Sequence, residues 1–213
     1  MKVMIGLPIH RPIEFKVFES FVRLINSKSD IEYTFTMIQN SIIHDAREYV
    51  VNKFMESDCS HLMFIDSDMT FHPQSVQYLL RHKKDFVTAK AFKRVYPYQP
   101  CFYTKLQIYP KINLESPIEY GNGLLPIEGC GMSCVLISKS VFEKIEKPYF
   151  FPIPEVGEDL SFCYKVKEAG IKMYCDTTIQ FGHVAHVEIV EDDFKKALIH
   201  LKEQNKTVAE VQL

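Results

Sequence analysis

His61-Leu62-Met63-Phe64-Ile65-Asp66-Ser67-Asp68 is the stretch that decides how this chain is read. A compact hydrophobic run, too short for a helix, ends abruptly in two carboxylates, as a buried strand does where it leaves a sheet. Upstream, Lys2 to Ile9 is a second such run, closed by Pro8 and Pro12. Residues 13 to 26 carry Phe15, Phe18, Val22 and Ile25 at helical spacing, which predicts a helix with that stripe on the core. Ile31 to Ile38 alternates around Tyr33, Phe35 and Met37 as a strand, and Ile42 to Met55 is helical with Ile43, Ala46, Val50 and Phe54 on one face. Downstream, Pro73 sits at the start of a helix holding Val76, Leu79 and Leu80, and Phe86 to Ala89 is a further strand. Such alternation implies right-handed crossovers and a mainly parallel sheet.

The second half reads differently. Residues 95 to 127 hold many prolines and tyrosines between short strand-like pieces. Ile127 to Ile137 is predicted as one strand with a glycine-bearing entrance, Gly129-Cys130-Gly131, followed by a short helix over Val141 to Ile145. Glu158 to Ala169 is expected to be a helix closed by Gly170. Two short strands, Lys172 to Cys175 and Thr178 to Phe181, precede a surface helix from Glu191 with Phe194, Leu198 and Leu201 on one face. No repeat or linker divides the chain.

Of 213 residues, 46% are hydrophobic and 24% charged, which is enough apolar material for a core and argues against disorder. The net charge of -2 argues against a broad nucleic-acid footprint, which needs an excess of Lys and Arg on one face. The six cysteines form no CxxC pair, so they are read as small buried hydrophobes in a reducing compartment, not as a zinc site. The MKVMIGLPIH start is too short an apolar run for a signal peptide, and no stretch approaches the ~20 apolar residues of a transmembrane segment. The expectation is a soluble, cytoplasmic protein.

Three clusters carry chemistry. Asp66 and Asp68, at i and i+2 on a turn after a buried strand, can both reach one hard cation through oxygen. Such a pair is also ordinary turn chemistry, and its place at a strand's carboxyl end is what favours a site. Gly157-Glu158-Asp159 opens a helix, where acidic residues suit the dipole or supply a general base. Gly182-His183-Val184-Ala185-His186 places two imidazoles close together after a strand, a reasonable source of an additional ligand for a manganese-like ion.

In their order along residues 1 to 190, these pieces resemble the GT-A glycosyltransferases, the family 2-like enzymes above all. The matching parts are Ile65-Asp66-Ser67-Asp68 with its D-x-D motif, Glu128-Gly129-Cys130-Gly131-Met132, Gly157-Glu158-Asp159 and the late His183. The resemblance implies one GT-A domain over 1–213: an α/β fold with a mixed, mainly parallel sheet flanked by helices. It would comprise a nucleotide-sugar-binding half (about 1–94), an acceptor-binding and catalytic half (about 95–190) and a terminal helix (191–213).

It implies Asp68 as a ligand of Mn²⁺ or Mg²⁺, Asp66 on metal, water or ribose, and His183 as a further ligand with His186 in reserve. Asp159 would be the base of an inverting transfer, oriented by Glu158. The donor, a UDP- or GDP-sugar, would be held by Pro8, Ile9, Arg11, Gln39, Asn40, Asp45, Arg47, Asp66 and Ser67. Arg47 reads equally as a surface charge. Lys93 and Arg94 read as a basic pair near donor or acceptor, or as a solvated turn. The acceptor (a glycan, lipid or protein) would face the Tyr- and Pro-rich residues 95 to 127, which read equally as an irregular hairpin core.

The chain lacks the family's Gln-x-x-Arg-Trp signature and has no Trp, which argues against a processive polysaccharide synthase. The alternatives are a nucleotidyltransferase and a non-catalytic nucleotide-sugar or glycan-binding module. The first usually has a glycine-rich basic loop after its first strand, and Leu7-Pro8-Ile9-His10-Arg11 has none.

Overall fold

A computed structural model describes residues 1–39, 41–185 and 188–203; Asn40 and His186, both candidates above, lie outside the described residues. The first half runs β1 (Lys2–Ile9), α1 (Phe15–Ile25), β2 (Glu32–Gln39), α2 (Ile43–Glu56), β3 (His61–Ile65), β4 (Met69–Phe71), α3 (Ser75–Arg81) and β5 (Phe86–Lys90). There follow β6 (Phe102–Tyr103), β7 (Lys105–Gln107), β8 (Asn113–Glu115), β9 (Leu124–Ile127), β10 (Gly129–Cys130), β11 (Cys134–Ser138) and α4 (Lys139–Lys144). The chain then forms α5 (Gly157–Glu168), β12 (Met173–Val184), β13 (Glu188–Ile189) and α6 (Glu191–Glu203).

The main sheet has the order β13-β12-β5-β11-β3-β1-β2, with β4 and β9 pairing β12 off that path. β1 runs parallel to β2 and β3, and β12 parallel to β5. β11, from the second half, inserts antiparallel between β3 and β5. The architecture is α/β, with a mixed, mainly parallel sheet between two helical layers.

Strand alternation distributes the core. Leu62 and Phe64 of β3 face the layer of α2, α4 and α5, whereas Met63 and Ile65 face α1 and α3. Val50, Val51 and Phe54 of α2 are fully buried on the first side, each contributing roughly 1.5–3 kcal/mol of apolar burial. Gly6 lets α2 lie close on β1, since a Cβ there would come within 2.5 Å of Val50 Cγ1.

Three expectations are corrected. The inward face of α1 is Val17, Ser20, Phe21 and Leu24, while Phe15, Phe18, Val22 and Ile25 stay exposed. That helix is apolar around most of its girth, so spacing alone could not choose its buried side. Ile127 to Ile137 is not one strand, because the chain breaks at Gly131 between β10 and β11 and Gly131 N–H bonds the Cys101 carbonyl instead.

Conversely, the two short strands expected over 172 to 181 are one twelve-residue strand, β12. Its polar centre is satisfied internally. Asp176 accepts from the backbone and hydroxyl of Thr178 and pairs with His82 at 2.6 Å, and the Thr177 hydroxyl reaches the Gly121 carbonyl. The register shifts between Asp176 and Gln180 where these groups sit. All six cysteines are free and five are buried. Among the described residues no helix is long and apolar enough to cross a membrane.

Candidate functional site

A cleft of about 810 Å³ opens at the carboxyl ends of β1 and β3. In parallel α/β sheets this is where loops from neighbouring strands diverge and leave room for a ligand. Its walls include Pro8, Ile9 and Arg11 after β1, Arg47 of α2, Asp66, Ser67 and Asp68 after β3, and Arg94 after β5.

The turn after β3 is locally determined. Asp66 N–H bonds the Ser133 carbonyl at 3.2 Å, and Met69 N–H returns to the Asp66 carbonyl at 3.2 Å. β4 then pairs antiparallel with β12, placing Met69 opposite His183, and Val184 N–H bonds the Asp68 carbonyl at 2.8 Å. This pairing brings together two residues 115 positions apart, with His183 Nε2 lying 3.5 Å from Asp68 Oδ2. His183 Nδ1 is 2.8 Å from the Phe92 carbonyl, which can only accept, so Nδ1 carries a proton and Nε2 faces Asp68. Arg94 also reaches Asp68 Oδ2, at 2.8 Å. Burial pushes the Asp68 carboxyl up, but His183 and Arg94 outweigh it and hold its pKa below the ordinary value.

The second cluster centres on Arg47, at the start of the second turn of α2 and only 2% exposed. Its guanidinium lies over Phe64, 5.5 Å from the ring centroid, and donates to Asp66 Oδ1 at 3.1 Å. On its other side it meets Asp159 Oδ1 at 3.0 Å and Glu158 Oε1 at 3.7 Å, from the first turn of α5. The contact with Asp159 is close but not aligned as a hydrogen bond, so Arg47 Nε and Asp159 Oδ1 are buried without a hydrogen-bond partner. Burial opposes the Arg47 charge, yet Asp159, Asp66 and Glu158 together raise its pKa and keep it protonated.

Asp159 Oδ2 accepts from Met132 N–H at 3.0 Å, within the break between β10 and β11. Gly129 permits this approach, because a Cβ there would press on Leu106 at 3.1 Å and on Leu160 of α5 at 3.2 Å. The Asp159 pKa is raised to about 7: burial raises it most, Arg47 lowers it, and the neighbouring Glu158 and Asp66 charges raise it. A carboxyl so placed titrates in the range useful to a general base.

Several expected residues stand elsewhere. Gln39 and Asp45 are exposed and do not line the cleft, and Asp45 lies 3.8 Å from His44. Lys93 turns the other way, 5.6 Å over the Tyr103 ring. Arg47 is not a surface charge. The cleft also takes His10, Pro12, Glu14, Ser41, Ile42, Ile43, Val184 and Ala185, which sequence reading passed over. Proximity to Arg11, Arg47 and His183 was their available signal, whereas the Phe92 carbonyl and Met132 N–H are backbone groups and carry none.

Asp68 and His183 suit a divalent cation: one hard oxygen donor, and one imidazole whose far nitrogen is fixed by a carbonyl, as in many metal sites. Asp66 directs its oxygens at Arg47. Among the described residues no three His, Cys, Asp or Glu side chains form a cation-holding group, so further ligands would come from a bound molecule or water.

No family model matches the chain, and no curated protein matches it. Among solved structures, it is similar to the crystal structure of A197 from STIV, at 20% identity with a TM-score of 0.65. The match covers 91% of this chain and 92% of that chain. At that identity the likeness shows the fold alone, which is the α/β, mixed and mainly parallel sheet flanked by helices described above.

Proposed function

We propose that the chain is a cation-dependent glycosyltransferase that moves a sugar from a nucleoside-diphosphate sugar to an acceptor hydroxyl with inversion. One observation carries the reading. Asp66 and Asp68 line one cleft of about 810 Å³ at the strand ends, with His183 behind Asp68, and Arg47 in the cleft wall ties Asp66 to Asp159 and Glu158 behind it. That volume is of the size that encloses a nucleotide-sized ligand.

The apolar walls at Pro8, Ile9 and Ile42 suit a base and ribose, and the nearby cations Arg11 and Arg94 suit a diphosphate. A bound Mn²⁺ or Mg²⁺ would supply positive charge to the departing diphosphate. Asp68 and His183 would hold it, leaving Asp66 to orient ribose or water. Asp159, with its raised pKa, takes the acceptor's proton, and Glu158 beside it keeps Arg47 from fully neutralising that carboxylate.

Calorimetric titration of UDP and GDP, with and without Mn²⁺, tests the donor side of this reading. The expected result is binding strengthened by the cation in wild type and not in Asp68→Ala. Equal affinity with and without cation in the wild type, or no nucleotide binding at all, would remove it.

A further inference from the structure

The two ends of the main sheet are finished differently. At one end β13 is two residues long and runs almost directly into α6. At the other, β2 is eight residues long and pairs only with β1 among the described residues. In a strand paired on one side, every second residue turns its N–H and C=O outward. The sequence Glu32-Tyr33-Thr34-Phe35-Thr36-Met37-Ile38-Gln39 has one charge and no proline, and β2 pairs with β1 without a bulge, so the usual devices that blunt an edge are scarce.

Beside this edge lies the exposed stripe of α1: Phe15 at 78%, Phe18 at 58%, Val22 at 39% and Ile25 at 59%. The stripe's side can be fixed. Ser20 Oγ accepts from Phe71 N–H of β4, so that flank of α1 faces β4. Phe21, one step around the helix, lies between β4 and β2, with ring centroids 5.1 Å from Phe71 and 6.3 Å from Phe35. Continuing the same rotation at 100° per residue carries Phe18, Ile25, Val22 and Phe15 to the β2 flank. On β2, Tyr33 and Phe35 pack on the α1 side, and alternation sends Met37, 58% exposed, to that side too. Stripe and strand therefore form one continuous apolar edge.

We propose that this edge is the interface of a twofold dimer, in which β2 pairs antiparallel with β2 of a second copy and the α1 flanks pack together above it. Three features select a second copy as the occupant. The outward amides and carbonyls of β2 need hydrogen-bond partners, which lipid tails cannot provide and a second strand can. A twofold axis perpendicular to the sheet keeps both α1 helices on one face, where their apolar stripes meet each other. Centring the axis on Phe35 places Tyr33 opposite Met37 and Glu32 opposite Ile38, so no like charges face across the strands. The five exposed side chains present on the order of 500 Å² of apolar surface, near the upper limit for a monomer's patch. With the strand backbone this approaches the ~800 Å² per partner of a stable interface.

Light scattering coupled to size exclusion tests this on the full chain, comparing wild type with Phe18→Glu and Met37→Lys, both exposed positions that leave the core intact. The wild type is expected at twice the 24.8 kDa chain mass. Each variant should run at the single-chain mass, with unchanged far-UV circular dichroism and faster hydrogen exchange of the β2 amides. A wild-type monomer at 100 μM (about 2.5 mg/ml) overturns the proposal, and monomer that co-sediments with phosphatidylglycerol vesicles reassigns the stripe to a membrane. A dimer that persists in both variants overturns it as well, by placing the contact on another face.

Discussion

Asp68 and Asp159 start from the same side-chain chemistry, and their surroundings move them in opposite directions. Asp68 stands at the end of a turn, flanked by His183 and the exposed Arg94, and stays ionised well below neutral pH. Asp159 lies deeper, beside Glu158 and behind Arg47, and burial raises its carboxyl to about 7. Paired carboxylates whose pKa values are driven apart are a recurrent sign of divided labour. Here one carboxylate suits holding a cation and the other suits exchanging a proton. Arg47 joins Asp159 to Asp66, two residues before Asp68, and it is the most buried charge of the set.

That division can be broken at either end. The largest effect is expected from Asp159→Asn, which should lower turnover by about 10²–10⁴-fold while leaving cation-assisted nucleotide binding intact, measured by turnover and titration on one preparation. Next is Arg47→Ala. Removing the one cation between three poorly exposed carboxylates should cost about 3–5 kcal/mol in urea unfolding. A smaller effect is expected from His183→Gln, which should weaken Mn²⁺ binding about 10–100-fold, read from the cation dependence of nucleotide affinity.

The pH profile sharpens the contrast. Turnover should fall about tenfold per unit below pH 7 as Asp159 takes up its proton, and that limb should vanish in Asp159→Asn. Linkage gives the same group the opposite sign in stability. Its folded pKa is raised, so its stabilising contribution is full below about 3.8 and is lost as pH rises through about 7.

The Asp66 and Asp68 end of this arrangement was legible because it is local. His61–Ile65 is apolar and short, and the carboxylates follow at once, so a strand end and a candidate site could be read together. The partners of Arg47 were not legible, since Asp66 and Asp159 lie 19 and 112 residues away and are brought in by the pairing of β3 with β1 beside α2 and by the packing of α5. Nor was α1's orientation, because Phe15, Phe18, Val22 and Ile25 are as apolar as Val17, Phe21 and Leu24 that displaced them. β12 was misread at Asp176 and Thr177, which look like a break between two strands but are satisfied by Thr178 and by neighbouring groups inside one strand.

The most direct test of the account is release of free nucleoside diphosphate from UDP-, GDP-, ADP- and dTDP-sugars with Mn²⁺, in wild type, Asp68→Ala and Asp159→Asn, with candidate acceptors added. The expected result is release from one donor by the wild type, loss in both variants, and retained cation-assisted nucleotide binding only in Asp159→Asn. Release from a donor that continues unchanged in Asp159→Asn, or wild-type binding of nucleotide with no release under any acceptor, would contradict it.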